Sequence, residues 1–214
     1  MIEIIILAIL AFFIFKKLKS ILGEEYDEQM FGYGASNKKR KIKDAEQIEQ
    51  ADEFTDNLDG EEFKNLSAQA KAHYKTLCDN INHFSLFKFK TIVEKVMSIA
   101  LKANEEQDKD MVKKLFSRSL AETIIQSFTE NSINHIILIE IDNLSIANIS
   151  KKNNIYTIQV DCKTKQINYT TERESGNIID GDKKEIVSVN ERWSFSHDIT
   201  SNDNTWFIEK IEAI

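Results

Sequence analysis

The chain has 214 residues, of which 42% are hydrophobic, so it is long enough for one well-packed domain with an accessory segment and short for two full domains. Its formal net charge of −7 argues against a general nucleic-acid binder, because such proteins need a basic surface. The two cysteines, Cys78 and Cys162, are far apart and have no metal-ligand spacing, which argues against a disulfide framework or a zinc site and favours a reducing compartment.

An apolar run opens the chain and predicts a membrane anchor in residues 1–22. Lysines follow the run directly, whereas a cleaved signal peptide has its basic residues before it, so we expect the anchor to be retained. The run spans about 21 Å as a helix, and snorkelling lysines would complete the crossing. By the positive-inside rule, the rest of the chain lies on the cytoplasmic side. The predicted anchor residues are Ile2, Ile4, Ile5, Ile6, Leu7, Ile9, Leu10, Phe12, Phe13 and Phe15.

A charged segment, residues 23–60, comes next and is expected to be a flexible linker because it has too little apolar area to form a core. Its basic cluster, residues 38–43, would either contact anionic lipid headgroups or form a solvated run of charge. Acidic residues dominate after this cluster, where Ile48 and Phe54 fit on one side of a short helix. The predicted headgroup contacts are Lys16, Lys17, Lys19, Lys38, Lys39, Arg40, Lys41 and Lys43.

Helical periodicity begins near Glu61 and predicts four helices. The first carries a narrow apolar stripe, typical of an amphipathic arm that can move, and the second, from Leu86, has an apolar face broad enough for a central helix. A short third helix is predicted over residues 108–116. The fourth should start at Ser119, whose hydroxyl would form a capping box with Glu122. The stripe of the first helix consists of Phe63, Leu66, Ala70, Leu77 and Ile81.

After residue 134 the apolar residues alternate with period two, which predicts antiparallel strands. The first row, Ile137, Ile139 and Ile141, changes phase near Asn143 as a β-bulge would require. Further rows begin at Tyr156 and Val187, a hairpin connection is expected from Gly176, and a last strand covers residues 205–211. Helices followed by strands indicate an α+β fold with the helices on one face of a curved sheet of about four strands.

Four residues near the C-terminus are the candidate pocket or core of this fold. Trp193, Phe195 and Trp206 would either pack the core or line a pocket for a small hydrophobic molecule. Glu191 is in phase with Trp193, so its carboxylate would either point inward as a functional group or reach the rim and pair with a Lys or Arg. No catalytic, cofactor-binding or metal-binding residue is assigned. The histidines, interpreted as isolated surface or edge residues, are His73, His83, His135 and His197.

The C-terminal residues 191–213, ERWSFSHDITSNDNTWFIEKIEA, resemble the end of the Tim44-like domain, in which an acidic residue, a Trp-Ser/Thr-Phe element and a second Trp close the sheet. Residues 89–128 are similar to the helical part of that family, and the anchor followed by KKLKSILGEE resembles its bacterial members. The sequence departs from the family at residues 197 and 198, where Arg is common, and just before Trp206, where Pro is common. These departures affect any partner contact through that turn.

The resemblance implies a nuclear-transport-factor-two-like α+β cone occupying residues 61–214. It further implies a non-enzymatic adaptor of the bacterial inner membrane that binds anionic membrane lipid and a protein partner such as a translocase subunit or a chaperone, with no nucleic acid and no cofactor. The alternative is a ligand-binding or catalytic cone with its pocket around Trp193, Trp206 and Glu191.

Overall fold

The computed structural model describes residues 60–201 and 205–214, in which helices precede an antiparallel sheet. Residues 60–65 are helical, and four further helices follow. They are α1 (Ala68–Asn80), α2 (Leu86–Glu105), α3 (Lys109–Leu115) and α4 (Arg118–Ser127). The five strands are β1 (Ser132–Lys152), β2 (Ile155–Glu172), β3 (Ile178–Gly181), β4 (Val187–Asp198) and β5 (Phe207–Ala213).

The helix predicted from Glu61 is interrupted near Leu66, and its second part packs on the rest of the domain. Ser67 has an extended backbone and its side chain accepts a hydrogen bond from the backbone N–H of Ala70, so a new helix begins there. The apolar stripe itself is confirmed, because Leu66, Ala70 and Leu77 are buried in the core. Burial of this stripe against the rest of the domain holds α1 in place.

The central helix α2 is confirmed, and so is α3. The apolar face of α2 is buried from Leu86 to Ala103, as its broad stripe predicted. The side chain of Asp108 caps α3 by accepting from the N–H groups of Asp110 and Met111. These two helices therefore follow the local sequence signals closely.

The predicted capping box at the start of α4 is wrong. The helix begins two residues earlier, with Ser117 as its N-cap, and Ser119 lies inside the first turn. Glu122 pairs with Arg118, its neighbour one turn away, at 3.1 Å from Nε to Oε1. The backbone N–H of Ser117 donates to the carbonyl of Ile208 in β5, which sets the helix start through a tertiary contact.

The strands form one antiparallel sheet in the order β1-β2-β4-β5, with β3 paired to β2 beyond the end of β4. The sheet described thus has five strands where about four were expected, because the hairpin connection predicted at Gly176 contains β3. Register shifts in β1, one of them between Ile141 and Asn143, confirm the predicted bulge.

The core lies between the helices and one face of the sheet. The row starting at Tyr156 is buried, as predicted, through Cys162. Phe89 of α2 contacts the rings of Phe195 and Trp206 at centroid distances of 5.6 and 5.1 Å. Edge-to-face aromatic pairs of this kind join helix and sheet layers.

The predicted anchor and the basic cluster lie outside the described residues, as does nearly all of the predicted linker. Within residues 60–201 and 205–214, no helix combines the length and the apolar character that crossing a bilayer requires.

Candidate docking groove

The three aromatic candidates near the C-terminus, Trp193, Phe195 and Trp206, belong to the packed core rather than to a pocket. Trp193 is 1% exposed, and Phe195 and Trp206 are fully buried. Phe84 and Phe89 pack on the ring of Trp206, and Phe195 lies 6.4 Å from Trp193 between ring centroids. These contacts fill the space in which the alternative function would place a ligand.

Glu191 is half-buried and its partner is Trp193. The indole N–H of Trp193 donates to the Glu191 carboxylate at 3.1 Å, so this carboxylate serves as an acceptor for a buried donor. Neither sequence alternative anticipated this, because one expected a free inward carboxylate and the other a Lys or Arg partner. Residues two apart on a strand share a face, which is the signal that could have suggested the pair.

The interpretation of all four histidines as isolated surface or edge residues is wrong for two of them. His197 is 3% exposed, stacks on Trp206 and bonds through Nδ1 to the carbonyl of Thr205 at 2.9 Å. His135 lies between two partners, with Nδ1 at 2.6 Å from Glu105 of α2 and Nε2 at 2.9 Å from Thr171 of β2.

The face of the sheet opposite Trp193 is polar and carries ion pairs. Arg192 donates two hydrogen bonds to Asp161, at 2.6 and 2.8 Å, and this bonding raises the pKa of Arg192. Lys165 pairs with Glu140 and Asp142, which raises its pKa in the same way, with the hydrogen bond to Glu140 contributing most. Because this face is polar, it offers little contact area for an apolar ligand.

An open groove lies between the C-terminal half of α2 and the first half of β1, with a volume of about 620 Å³. We refer to it as the α2–β1 groove. Ile137, which belongs to the predicted alternating row, is 39% exposed here. The phase change at the bulges of β1 moves burial to Leu144 and Ile146 and leaves Ile137 and Ile139 exposed. The apolar residues of the groove are Leu101, Ile133, Ile136, Ile137 and Leu138.

One end of the α2–β1 groove is a network of polar side chains. His135 and Glu105 both line the groove, and the ring of Tyr169 stacks on His135 at 4.4 Å between centroids. Arg173 donates to the side chain of Gln107, at 2.6 Å. Gln107 in turn donates to the backbone carbonyls of Thr129, which precedes β1, and of Ser132, its first residue. These contacts link the end of α2 to the sheet, so the groove has a charged end and an apolar floor.

Sequence reasoning missed this groove entirely. Its residues come from two elements that are distant in sequence, and Leu101 lies off the buried stripe of α2, where it would be considered a solvent-facing residue. Among the described residues, no group of three or more His, Cys, Asp or Glu side chains is placed to hold a metal ion.

The structure thus defines an α+β domain whose helices cover one face of an antiparallel sheet and whose side carries an open apolar groove. The model of the Tim44-like domain matches residues 69–213, and the chain therefore belongs to the Tim44-like family. The resemblance identified in the C-terminal and helical segments is confirmed.

Two solved structures show distant similarity. The intermembrane space region of the chloroplast protein ARC6 shares 9% identity over 57% of this chain and 93% of its own, with a TM-score of 0.38. A nuclear transport factor 2 (NTF2-like) superfamily protein from Salmonella enterica subsp. enterica serovar Typhimurium str. LT2 shares 14% identity over 58% of this chain and 89% of its own, with a TM-score of 0.31. No match was found among curated proteins.

Proposed function

We propose that this chain is a membrane-tethered adaptor whose α2–β1 groove binds an apolar-faced segment of a protein partner. Membership of the Tim44-like family supports a membrane-associated role connected with protein translocation. The α+β architecture is compatible with a nuclear-transport-factor-two-like cone, which we include in the proposal.

The observation that carries the docking role is the exposure of apolar side chains in a groove beside a fully packed core. Ile137 lies in the groove and Ile139 follows it, and they are 39% and 48% exposed, although β-branched residues in a strand usually cover a core. A partner that buries them gains hydrophobic free energy, while Lys102 and Arg173 at the same groove supply charge for orientation.

In this proposal the chain has three parts. Residues 1–22 anchor it in a bacterial inner membrane, residues 23–60 form a linker whose basic residues contact anionic headgroups, and residues 61–214 form the docking domain in the cytoplasm. A tether of this kind raises the effective concentration of the domain for any partner in the same thin layer. The protein partner would be a translocase subunit or a chaperone.

We also propose that the domain acts without catalytic turnover. The side chains that would serve a catalytic cone are engaged in packing: Glu191 accepts from Trp193, and Trp206 is covered by Phe84 and Phe89. A bound lipid or small hydrophobic molecule at Trp193 would require these core contacts to open.

The tether is tested by sedimenting membranes from cells that express the full-length chain. We expect the protein to remain in the pellet after a wash with about 1 M salt, where the Debye length is only about 3 Å. Release by salt alone would mean that basic residues bind and no anchor does. A variant lacking residues 2–15 is the matched control and should be released.

Docking is tested by placing a photocrosslinking amino acid at position 137 of the full-length chain in cells. We expect a discrete crosslinked protein in the membrane fraction, and the same probe at Ile155, which is 46% exposed at the far end of the β1–β2 hairpin, should not capture it. Equal capture from both positions would refute the groove as the docking site.

A further inference from the structure

The described chain begins on the same two elements that form the α2–β1 groove. Glu62, in the helical residues 60–65, forms an ion pair with Lys90 of α2 and accepts from the backbone N–H of Ile146 in β1. The same two helix and strand elements that form the groove therefore also hold the start of the described chain. From Lys90 to Lys102 along α2 is about 18 Å at the helical rise of about 1.5 Å per residue.

The sequence immediately before this point complements the groove. Between Asp44 and Asp59 there are seven acidic residues and no basic one. Apolar residues in the same segment recur at helical spacing, at Ile48, Ala51, Phe54 and Leu58. A helix of these 15 residues, 45–59, would be about 22 Å long, enough to run from the Glu62 contact to Lys102.

The groove carries two cations, Lys102 and Arg173, that can pair with an acidic occupant, beside two carboxylates, Glu105 and Glu106. Arg173 donates to the neutral side chain of Gln107, so this bond leaves its positive charge in place. Lys102 has a side chain that is 70% exposed and sits 3.6 Å from Glu106, a distance typical of a weak surface pair. The carboxylate of Glu105 is bonded to Nδ1 of His135 at 2.6 Å, within the polar network at this end of the groove.

We propose that residues 45–59 of this chain occupy the α2–β1 groove, with their apolar stripe on Ile137 and its neighbours, and that a protein partner must displace them. This inference rests on the proposed docking function and adds its regulation. The segment is covalently joined to residues 60–65, which α2 and β1 hold, so its effective concentration at the groove is on the order of millimolar. Only a partner that binds more strongly, or that is itself concentrated at the membrane, would replace it.

The proposal is tested by cysteine crosslinking in the full-length chain, purified in detergent micelles. Cys78→Ser removes the half-buried thiol, and the buried Cys162 stays in place. Phe54→Cys is then combined with Ile137→Cys in the groove, or with Phe207→Cys on β5, the opposite edge of the sheet, as the matched control. We expect an intramolecular crosslink to position 137 that forms at least about tenfold faster than the one to position 207.

Equal rates at the two positions would overturn the proposal. Crosslinked dimers through position 137 would also overturn it, because they would show that a second copy fills the groove. As an independent measurement, Phe54→Asp with Leu58→Asp should increase hydrogen exchange in residues 132–143 of β1. An unchanged exchange rate in that variant counts against self-docking, even if the cysteine variants fold poorly.

The outcome is separable from that of the proposed function. If the docking function holds, the Phe54→Asp and Leu58→Asp variant should give more partner crosslink from position 137 in cells. If the purified chain shows the intramolecular crosslink but cells show no captured partner, the groove is covered by its own chain and the adaptor role fails. If a partner is captured equally with and without the substitutions, self-docking fails and the adaptor role stands.

Discussion

Three serines occupy N-cap positions in the described helices, and they differ in what their side chains do. Ser67 accepts from the backbone N–H of Ala70 at 3.1 Å and Ser85 accepts from that of Lys88 at 3.3 Å. Ser117 makes no side-chain cap bond, and its buried Oγ has no hydrogen-bond partner. A cap stabilises a helix only when its oxygen satisfies one of the free N–H groups.

Replacement of these serines by alanine should separate the two cases. Ser67→Ala should lower the free energy of unfolding by about 1 kcal/mol, since it removes a cap bond. Ser117→Ala should be neutral or stabilising, because it removes a buried hydroxyl that has no partner. Urea unfolding of the full-length protein in detergent measures both values. A larger loss for Ser117→Ala than for Ser67→Ala would contradict this assignment of the caps.

The free energy of unfolding should depend on pH through the thiol of Cys162, and the surroundings of that thiol set the direction. Burial, together with the nearby carboxylates of Glu191 and Asp161, raises the pKa of Cys162 from 9.0 to about 12. Between pH 9 and about 12 the thiol of Cys162 therefore stays protonated in the folded state and loses its proton in the unfolded state. The stabilisation is fully present below pH 9 and is lost as the pH rises from about 9 towards about 12.

We expect the difference in unfolding free energy between the wild type and Cys162→Ala to shrink above pH 9, by about 1.4 kcal/mol per pH unit. Unfolding measured at pH 8, 9 and 10 on both proteins checks this, because the alanine variant carries all other titrating groups as a control. A difference that stays constant to pH 10 would show that the thiol is not shielded as described.

At the scale of elements, the β3 hairpin depends on one glycine. Gly181 has a φ of +75°, and a Cβ added there would lie 2.4 Å from the carbonyl oxygen of Asn168 in β2. Gly176 also has a positive φ, of +69°, but its added Cβ would meet nothing within 4 Å. Both positions favour glycine, and only Gly181 has the additional close backbone contact.

Gly181→Ala should therefore be more damaging than Gly176→Ala. We expect roughly 1 kcal/mol for Gly176→Ala from its left-handed backbone alone, and at least about twice that for Gly181→Ala, where the strand must also move. Hydrogen exchange of residues 178–181 should rise in the Gly181 variant and change little in the other. Similar exchange in both variants would mean that the backbone conformation alone accounts for the effect.

Local patterns predict these elements with uneven success. The apolar face of α2 and the row from Tyr156 in β2 are buried as their spacing indicates. The apolar face of α2 is wide and the row in β2 is long, so in each element only one side can face the core. The start of α4 was misplaced, and the alternation at Ile137 did not show that this part of the strand lies outside the core. In both cases a partner far along the chain decides the outcome: Ile208 for Ser117, and the bulged register with β2 for Ile137.

At the scale of the whole molecule, Trp193 distinguishes the adaptor from the alternative ligand-binding cone. Trp193→Ala should cost about 3 to 5 kcal/mol of unfolding free energy, the range for large aromatic side chains removed from cores. Phe87→Ala is the control, since Phe87 is 46% exposed, and it should cost far less. The checks are chemical unfolding and native mass spectrometry. A stable Trp193→Ala protein that has lost a bound hydrophobic molecule would favour the cone with a pocket.

The sequence alone was sufficient to determine the α+β class, the antiparallel strands and the membership of the Tim44-like family. These follow from residue spacing within single elements and from motifs such as the one around Trp193 and Trp206, which are local properties. Only the tertiary structure decided that these two tryptophans are core, that His135 joins Glu105 to Thr171, and that α2 and β1 form a groove. Spacing tells which side of an element is apolar, but which neighbour covers that side depends on packing between segments that are distant in sequence.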